Sequence, residues 1–167
     1  KGVQFGEVVF NCVGTPAGES GAADLTEVLK VVSLMAGANT TDYKVLINKS
    51  TVPPGTAQRC HEVIQKVNPK AQIDIVSNPE FLKQGNAVYD FNHPDKIVVG
   101  TSSEKARETV RKVYHGLIKS YIPYLEMTWE TAEMVKYANN AFLATKISFI
   151  NEIANICELV GADVHMV

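Results

Sequence analysis

The chain has 167 residues, of which 46% are hydrophobic and 20% are charged, and its net charge is −2. This length is sufficient for one domain with a sizeable core, or for one domain and an appendage. The near-neutral charge argues against a nucleic-acid partner. Because no apolar stretch is long enough to cross a bilayer and no signal peptide opens the chain, we expect a cytoplasmic protein without a membrane partner.

Short apolar runs alternate with helical patterns along the first 125 residues. Helices are predicted after Asp24 and Ser103 as N-caps and over residues 56–67. Predicted strands cover residues 7–13, 43–48, 73–76, 96–100 and 121–125. Because these strands are apolar on both faces, the pattern predicts an α/β fold with a doubly wound parallel sheet.

A long helix is predicted from Trp129 to Gly161, a stretch without proline or internal glycine. At roughly 30 residues it would extend about 45 Å, with Thr131 as a candidate N-cap. Lys136 and Asn140 are four residues apart and therefore project from one face. They could form a solvated stripe on a core helix, or a pair that faces a substrate.

Three loops directly follow predicted strands, at residues 14–16, 50–53 and 78–80. In doubly wound sheets ligands bind beyond the carboxyl ends of the strands, so we expect the three loops to lie along one edge. Thr15 and Thr51 could donate to a phosphate, a ribose or a water, or could only cap the following helices.

Glu80 lies beside two large apolar residues, Phe81 and Leu82. Partial desolvation would raise its pKa toward the range that is useful in acid–base catalysis. The alternative is a glutamate in the first turn of a helix, where the helix dipole favours a negative charge.

The cysteines and histidines indicate neither a metal site nor a disulfide framework. Three widely separated cysteines are compatible with a reducing compartment, and we expect each to be a small core residue: Cys12, Cys60 and Cys157. The histidines share no spacing typical of metal ligands, and we assign them no role: His61, His93, His115 and His165.

Five segments, in this order, resemble the UDP-glucose/GDP-mannose dehydrogenase family. They are VGTP at residues 13–16, STVPPGT at 50–56, NPEFL at 78–82, PDKIVVG at 94–100 and AEMVKYANNAF at 132–142. The likeness extends over nearly the whole chain, and several long motifs in order are more specific than one short pattern.

The resemblance implies an activity and an architecture. The family oxidises the C6 alcohol of a nucleotide sugar to a carboxylate with two hydride transfers to NAD⁺, through a cysteine thiohemiacetal and thioester. Residues 1–128 would be the C-terminal part of a Rossmann-like NAD domain. Residues 129–167 would be the long central helix that begins the dimerisation and substrate domain, so a homodimer is implied. UDP-glucose is the favoured substrate, but GDP-mannose and UDP-N-acetylmannosamine enzymes share most of these motifs.

The resemblance also implies roles for individual residues. Thr15 and Thr51 match positions that contact the cofactor, and Thr51 also contacts the catalytic water. Glu80 matches a glutamate used in acid–base steps, while Lys136 and Asn140 match residues that hold the sugar and stabilise developing oxyanion charge. In the family, one segment lies along the nucleotide sugar, and it corresponds here to Phe81, Leu82 and Lys83.

Two segments of the family pattern are missing from this sequence. The Gly-x-Gly-x-x-Gly turn that binds the NAD pyrophosphate is absent, and so is the Gly-Gly-Ser-Cys-Phe-Pro-Lys-Asp-like segment of the nucleophile. Gln84 stands where an acidic residue is common. We therefore expect an internal part of the enzyme that is inactive alone and binds NAD poorly.

Two other classes of function stay open at this point. One is a non-catalytic dimerisation module built on the apolar helix. The other is an NAD-linked enzyme of the same architecture, such as a 6-phosphogluconate or 3-hydroxyacyl-CoA dehydrogenase. Those enzymes also use a lysine and an asparagine on a long helix, but they lack the NPEFL segment, which argues against them.

Overall fold

The structure is a computed structural model that describes residues 2–38, 42–118 and 120–167. The five strands of its sheet lie side by side in chain order: β1 (Val8–Asn11), β2 (Lys44–Asn48), β3 (Ile73–Ser77), β4 (Ile97–Gly100) and β5 (Tyr124–Met127). The helices are α1 (Gly2–Phe5), α2 (Thr26–Gly37), α3 (Thr56–Val67), α4 (Ala87–Asn92), α5 (Glu104–Val113), α6 (His115–Ile118) and α7 (Trp129–Val160).

Helices cover both faces of the sheet, as predicted for a doubly wound fold. In β2 every residue is buried, and Leu46 packs with α2 and α3 while its neighbours Val45 and Ile47 pack on the other face with α5. This alternation follows from the two-residue period of side chains in a strand. The α/β fold class predicted from the sequence is confirmed.

Two strands, β4 and β5, run against the predicted direction. β1, β2 and β3 pair in parallel, and so do β4 and β5, but β4 pairs antiparallel with β3 through Ser77 and Gly100. A parallel neighbour needs a crossover connection, usually with a helix that returns the chain to the other end of the sheet. The connection from β3 to β4 contains only the six-residue helix α4. β4 therefore begins beyond the carboxyl end of β3, beside the loops that follow β1 and β2.

The helix ends differ in detail from the predictions. Ser103 caps α5 as predicted, since its hydroxyl accepts a hydrogen bond from the Ala106 N–H at 3.2 Å. α7 begins at Trp129, so Thr131 is not its N-cap. Instead the hydroxyl of Thr128 accepts from the Thr131 N–H at 3.3 Å.

The chain divides into two compact units, Lys1–Lys136 and Tyr137–Val167. The first unit contains the whole sheet, and the second contains most of α7. Gly161, with a φ of 71°, ends that helix in a left-handed conformation that suits glycine. Of the helices described, none has the length and apolar character that a membrane span needs. The predicted division after residue 128 stays a prediction.

The cysteine predictions were partly wrong. Cys60 and Cys157 are buried, as expected of small core residues. Cys12 is exposed, because β1 ends one residue before it and it faces away from the core. The predicted strand over residues 7–13 was therefore too long at both ends.

Candidate functional site

Hydrogen bonds join the loops that follow β1, β2 and β3 along one edge of the sheet. The Thr15 hydroxyl donates to the carbonyl of Thr51 at 2.8 Å, and the Ser50 hydroxyl donates to the carbonyl of Val13 at 2.6 Å. The N–H of Asn78 donates to the carbonyl of Asn48 at 2.9 Å. The three loops singled out in the sequence are therefore neighbours, at the edge where α/β sheets bind ligands.

Glu80 and Lys136 form an ion pair at this edge. The Lys136 ammonium lies 3.1 Å from one Glu80 carboxylate oxygen, and the lysine side chain is only 7% exposed against 30% for the glutamate. The other Glu80 oxygen accepts the Leu82 N–H at 2.5 Å. The Lys136 ammonium also lies 5.3 Å from the centroid of the Phe81 ring. Two residues predicted separately for the site are thus held together.

Lys49 belongs to a second polar group that the sequence analysis did not assign. Its ammonium donates to the side-chain oxygen of Asn78 at 3.2 Å, and that oxygen also accepts from the Tyr114 hydroxyl at 2.5 Å. Burial lowers the pKa of Lys49 to about 8, while the nearby Cys12 and Glu80 act in the opposite direction. Burial raises the pKa of Tyr114 and keeps its hydroxyl a donor.

Two clefts meet at these groups. The strand-end cleft, of about 480 Å³, is lined by Phe10, Cys12, Val13, Gly14, Thr15, Lys49, Ser50, Thr51, Glu80, Leu82 and Phe91. The Phe81 cleft, of about 150 Å³, is lined by residues that include Phe81, Leu82, Lys83, Tyr89, His93, Lys96 and Tyr114. Both clefts share four residues: Lys49, Glu80, Leu82 and Phe91. A ligand in one cleft would therefore lie next to a ligand in the other.

The predicted site residues of the first unit all line these clefts or contact them. Thr15 and Thr51 lie in the strand-end cleft, and Glu80 lies in both. Three more residues predicted for the nucleotide sugar line the Phe81 cleft: Phe81, Leu82 and Lys83. Above the Phe81 ring lies a second ammonium, that of Lys96, at 4.2 Å from the centroid.

Asn140 belongs to the second unit, where it is exposed. Its side-chain oxygen accepts a 3.4 Å hydrogen bond from the amide of its neighbour Asn139. Its part in the site stays a prediction from the four-residue spacing to Lys136 on one continuous helix.

Glu133 is a further residue that the sequence analysis left without a role. Its carboxylate is buried and accepts hydrogen bonds from the backbone of Gly55 and Ala57 and from the Ser77 hydroxyl. Burial raises its pKa, and these three hydrogen bonds oppose the rise. A signal for Lys49 and Asn78 was present in the sequence, because each directly follows a buried strand. No local pattern marks the distant partners of Glu133.

The fold and the cleft together define a class of protein. A parallel-dominated sheet with helices on both faces and a ligand cleft at the strand ends is a Rossmann-like dinucleotide-binding domain. Residues 1–118 match the model described as UDP-glucose/GDP-mannose dehydrogenase family, NAD binding domain. Residues 130–167 match the central domain of the same family. The chain belongs to the UDP-glucose/GDP-mannose dehydrogenase family, as the five sequence motifs indicated.

Curated relatives and solved structures agree with this family. The chain is 45% identical to the UDP-glucose 6-dehydrogenase of Pseudomonas aeruginosa over 99% of its own length, which is 37% of that protein. It is 44% identical to UDP-glucose 6-dehydrogenase TuaD of Bacillus subtilis over 99% of its length and 35% of that protein. The chain therefore spans little more than a third of the length of these relatives.

The structural neighbours show the same domain. A ternary complex of GDP-mannose dehydrogenase from Pseudomonas aeruginosa matches with a TM-score of 0.92 and 31% identity, over 98% of this chain and 38% of that one. A UDP-glucose dehydrogenase from Pyrobaculum islandicum matches with a TM-score of 0.89 and 35% identity, over the same shares. The Rossmann-like character of the first unit is thereby confirmed.

The residues of the strand-end cleft fit NAD, the cofactor named by the family model. Apolar side chains such as Phe10, Val13 and Phe91 can cover the flat nicotinamide ring. Thr15 and Thr51 place hydroxyl groups at the end of the first two strands, where polar parts of a dinucleotide bind.

Proposed function

We propose that these 167 residues are part of a longer NAD-dependent UDP-glucose 6-dehydrogenase, which oxidises UDP-glucose to UDP-glucuronate. The observation that carries the proposal is the ion pair between Lys136 and Glu80, because Glu80 lines both clefts. Both residues belong to motifs of the family, and one cleft fits NAD. The names of relatives at 43–46% identity favour UDP-glucose as the sugar.

The proposed reaction is a four-electron oxidation in two stages. Loss of a hydride and a proton converts the C6 alcohol to an aldehyde, which a cysteine thiol adds to as a thiohemiacetal. Loss of a second hydride and proton gives a thioester, and water hydrolyses it to the carboxylate and the free thiol. NAD⁺, when bound, supplies the hydride acceptor in both stages.

Lys136 would hold the sugar and stabilise negative charge on the oxygen at C6. An ammonium that is almost fully withdrawn from water interacts more strongly with a developing oxyanion than an exposed one. Its partner Glu80 is more exposed and would face the hydrolytic water. It could donate a proton to this water or accept one from it. Asn140 would add an amide donor to the same oxygen as Lys136.

The remaining predicted residues would bind the two ligands. Thr15 and Thr51 would hold NAD in the strand-end cleft, and Thr51 would also orient the catalytic water. The nucleotide sugar would lie along the Phe81 cleft, in contact with Phe81, Leu82 and Lys83. Since the two clefts share residues, the C6 atom and the nicotinamide can meet at their junction.

We assign the thioester to none of the cysteines in this chain. Burial raises the pKa of Cys60 to about 11, which disfavours the thiolate that a nucleophile needs. Cys157 is buried as well. Cys12 is exposed, but it lies on the wall of the cofactor cleft and not in a segment that resembles the family nucleophile.

The proposal also covers the identity of the sugar substrate and the oligomeric state. GDP-mannose is the second candidate substrate, because a GDP-mannose dehydrogenase matches with a TM-score of 0.92. We also propose a homodimer formed through the second unit, whose helix exposes a row of large apolar side chains. The division after residue 128 and the cytoplasmic location stay predictions from the sequence.

Replacement of Lys136 in the complete protein tests the function. Production of NADH is measured with UDP-glucose, GDP-mannose and UDP-N-acetylmannosamine in turn. We expect the highest kcat/KM with UDP-glucose, and Lys136→Ala should lower kcat about 100-fold to 1,000-fold, as removal of an oxyanion donor does elsewhere. Lys112→Ala, on the exposed side of α5, is the matched control and should keep full activity.

The outcomes separate the candidates. A higher kcat/KM with GDP-mannose than with UDP-glucose would make GDP-mannose the substrate. Turnover of none of the three nucleotide sugars, or full activity in Lys136→Ala, would contradict the proposed enzyme.

A further inference from the structure

Glu133 is a buried carboxylate that links three separate parts of the first unit. It is 2% exposed. One of its oxygens accepts the Gly55 N–H at 2.7 Å, and the other accepts the Ala57 N–H at 2.9 Å and the Ser77 hydroxyl at 3.1 Å. These partners lie 56 to 78 residues away in the chain, so they are tertiary contacts.

The first two hydrogen bonds cap helix α3 from a distance. Its N-cap position is Gly55, which has no side chain that could accept from the free N–H groups of the first turn. Glu133 supplies the acceptor instead, and its negative charge lies at the positive end of the helix dipole. Gly55 has a left-handed φ of 93°, a conformation that glycine adopts without strain.

The partners of Glu133 are the neighbours of site residues. Gly55 ends the loop that carries Thr51, and Ser77 ends the strand that leads into Glu80. Glu133 itself precedes Lys136 by one helical turn on α7. One carboxylate therefore fastens the Thr51 loop, the Glu80 loop and the Lys136 helix to each other.

We propose that Glu133 is a positioning residue, which sets the Lys136 ammonium against Glu80 and holds the Thr51 loop beside them. The inference rests on the proposed function for the meaning of these positions, but the geometry that it predicts is independent of any turnover. A buried anion with three donors is rigid, because moving it would leave its partners unsatisfied. Rigid placement of a charged group is what an oxyanion-stabilising lysine requires.

Glu133→Gln tests the proposal with little change in volume. A glutamine has one oxygen and one NH₂ group, so at least one of the three donors would face another donor. The lost hydrogen bonds should allow α7 to move relative to the two loops and expose Lys136. Ser77→Ala is a milder second variant that removes one donor and keeps the other two.

Trp129→Phe is the matched control. Trp129 anchors the same helix to the sheet, because its indole N–H donates to the Ile75 carbonyl at 2.8 Å and its ring packs against the core beside α2 and α3. It contacts none of the proposed site residues through a hydrogen bond among those described. Loss of the indole and its hydrogen bond should lower the stability of the protein without changing the Glu80–Lys136 pair.

The first measurement is the rate of reductive methylation of Lys136 in the complete ligand-free protein, followed by peptide mass spectrometry. We expect slow modification in the wild type and in Trp129→Phe, a several-fold faster rate in Glu133→Gln, and an intermediate rate in Ser77→Ala. The second measurement is kcat and KM. Glu133→Gln should lower kcat about 100-fold, as a displacement of about 1 Å can, with a much smaller change in KM.

Slow methylation of Lys136 in Glu133→Gln would overturn the proposal. Equally fast methylation in Trp129→Phe and Glu133→Gln would also overturn it, since Glu133 would then be only a structural anchor. Faster methylation of Lys136 in Glu133→Gln together with an unchanged kcat would overturn it as well. If neither the wild type nor any variant oxidises a nucleotide sugar, the proposed function fails. The methylation rates alone then decide whether Glu133 positions Lys136.

Discussion

At the scale of single residues, the contacts of the site are mostly long-range, which explains what the sequence did and did not predict. Thr15, Thr51 and Glu80 could be located because each follows an apolar run that forms a strand. The pairing of Glu80 with Lys136 could not, since it joins residues 56 positions apart. Lys49 was overlooked because a lysine after a strand is usually solvated, and only the fold reveals that this one is half-buried.

The burial of Lys49 predicts a dependence of stability on pH. Its pKa is about 8 in the folded protein against 10.5 in the unfolded chain. Between these values the unfolded state keeps a proton that the folded state has lost, so the free energy of unfolding rises with pH. The gain accumulates to about 3 kcal/mol at pH 10.5 and is absent below pH 8.

Lys49→Met removes the titrating group and keeps most of the volume of the half-buried side chain. Urea unfolding of both proteins at several pH values isolates this one group, since the other lysines and tyrosines titrate equally in both. We expect the wild type to gain stability relative to the variant from pH 8 to pH 10.5. Parallel stability curves over that interval would show that Lys49 is not desolvated.

At the scale of elements, strand β4 and helix α7 approach each other closely at Gly100. A Cβ at this position would lie 2.6 Å from the Cβ of Ala132 and 2.6 Å from the carbonyl oxygen of Thr128. Ala132 lies in the first turn of α7 and Thr128 directly precedes the helix, so the start of α7 would have to move. This contact sets the distance between the sheet and the helix that carries Glu133 and Lys136.

Gly100→Ala should therefore destabilise the protein by about 1–3 kcal/mol, the range typical of overpacked cores. Gly116→Ala is the control, because a Cβ there meets no atom within 4 Å among the described residues, and alanine favours its helix α6. The midpoints of denaturant unfolding compare the two variants. Equal midpoints would show that the contact between β4 and α7 is loose.

The elements themselves were largely predictable, but their directions and exact ends were not. Short apolar runs identified the five strands, because β-strands are rich in apolar residues over this length. The same runs carry no information on strand direction, so the reversed direction of β4 and β5 was missed. Helix α4 was missed as well, since six residues with two polar side chains form too short a pattern.

At the scale of the whole molecule, the exposed side of the long helix carries the remaining prediction. Leu143, Ile147 and Ile150 are 51%, 61% and 44% exposed and lie at i, i+4 and i+7 on one side of α7. A row of large apolar side chains in water is unfavourable, and a second copy of the helix would cover it. This row is the support for the proposed homodimer.

Ile147→Lys in the complete protein tests the dimer. An ammonium at the centre of an apolar interface loses its hydration without gaining a partner, so we expect the dissociation constant of the dimer to rise at least about tenfold. Ser148→Lys adds the same charge on a polar side of the helix, beside Asn151 and Glu152, and should leave association unchanged. Sedimentation equilibrium measures both variants over a range of concentrations. A wild type that stays monomeric at high concentration, or equal weakening by both lysines, would contradict a dimer formed through this row.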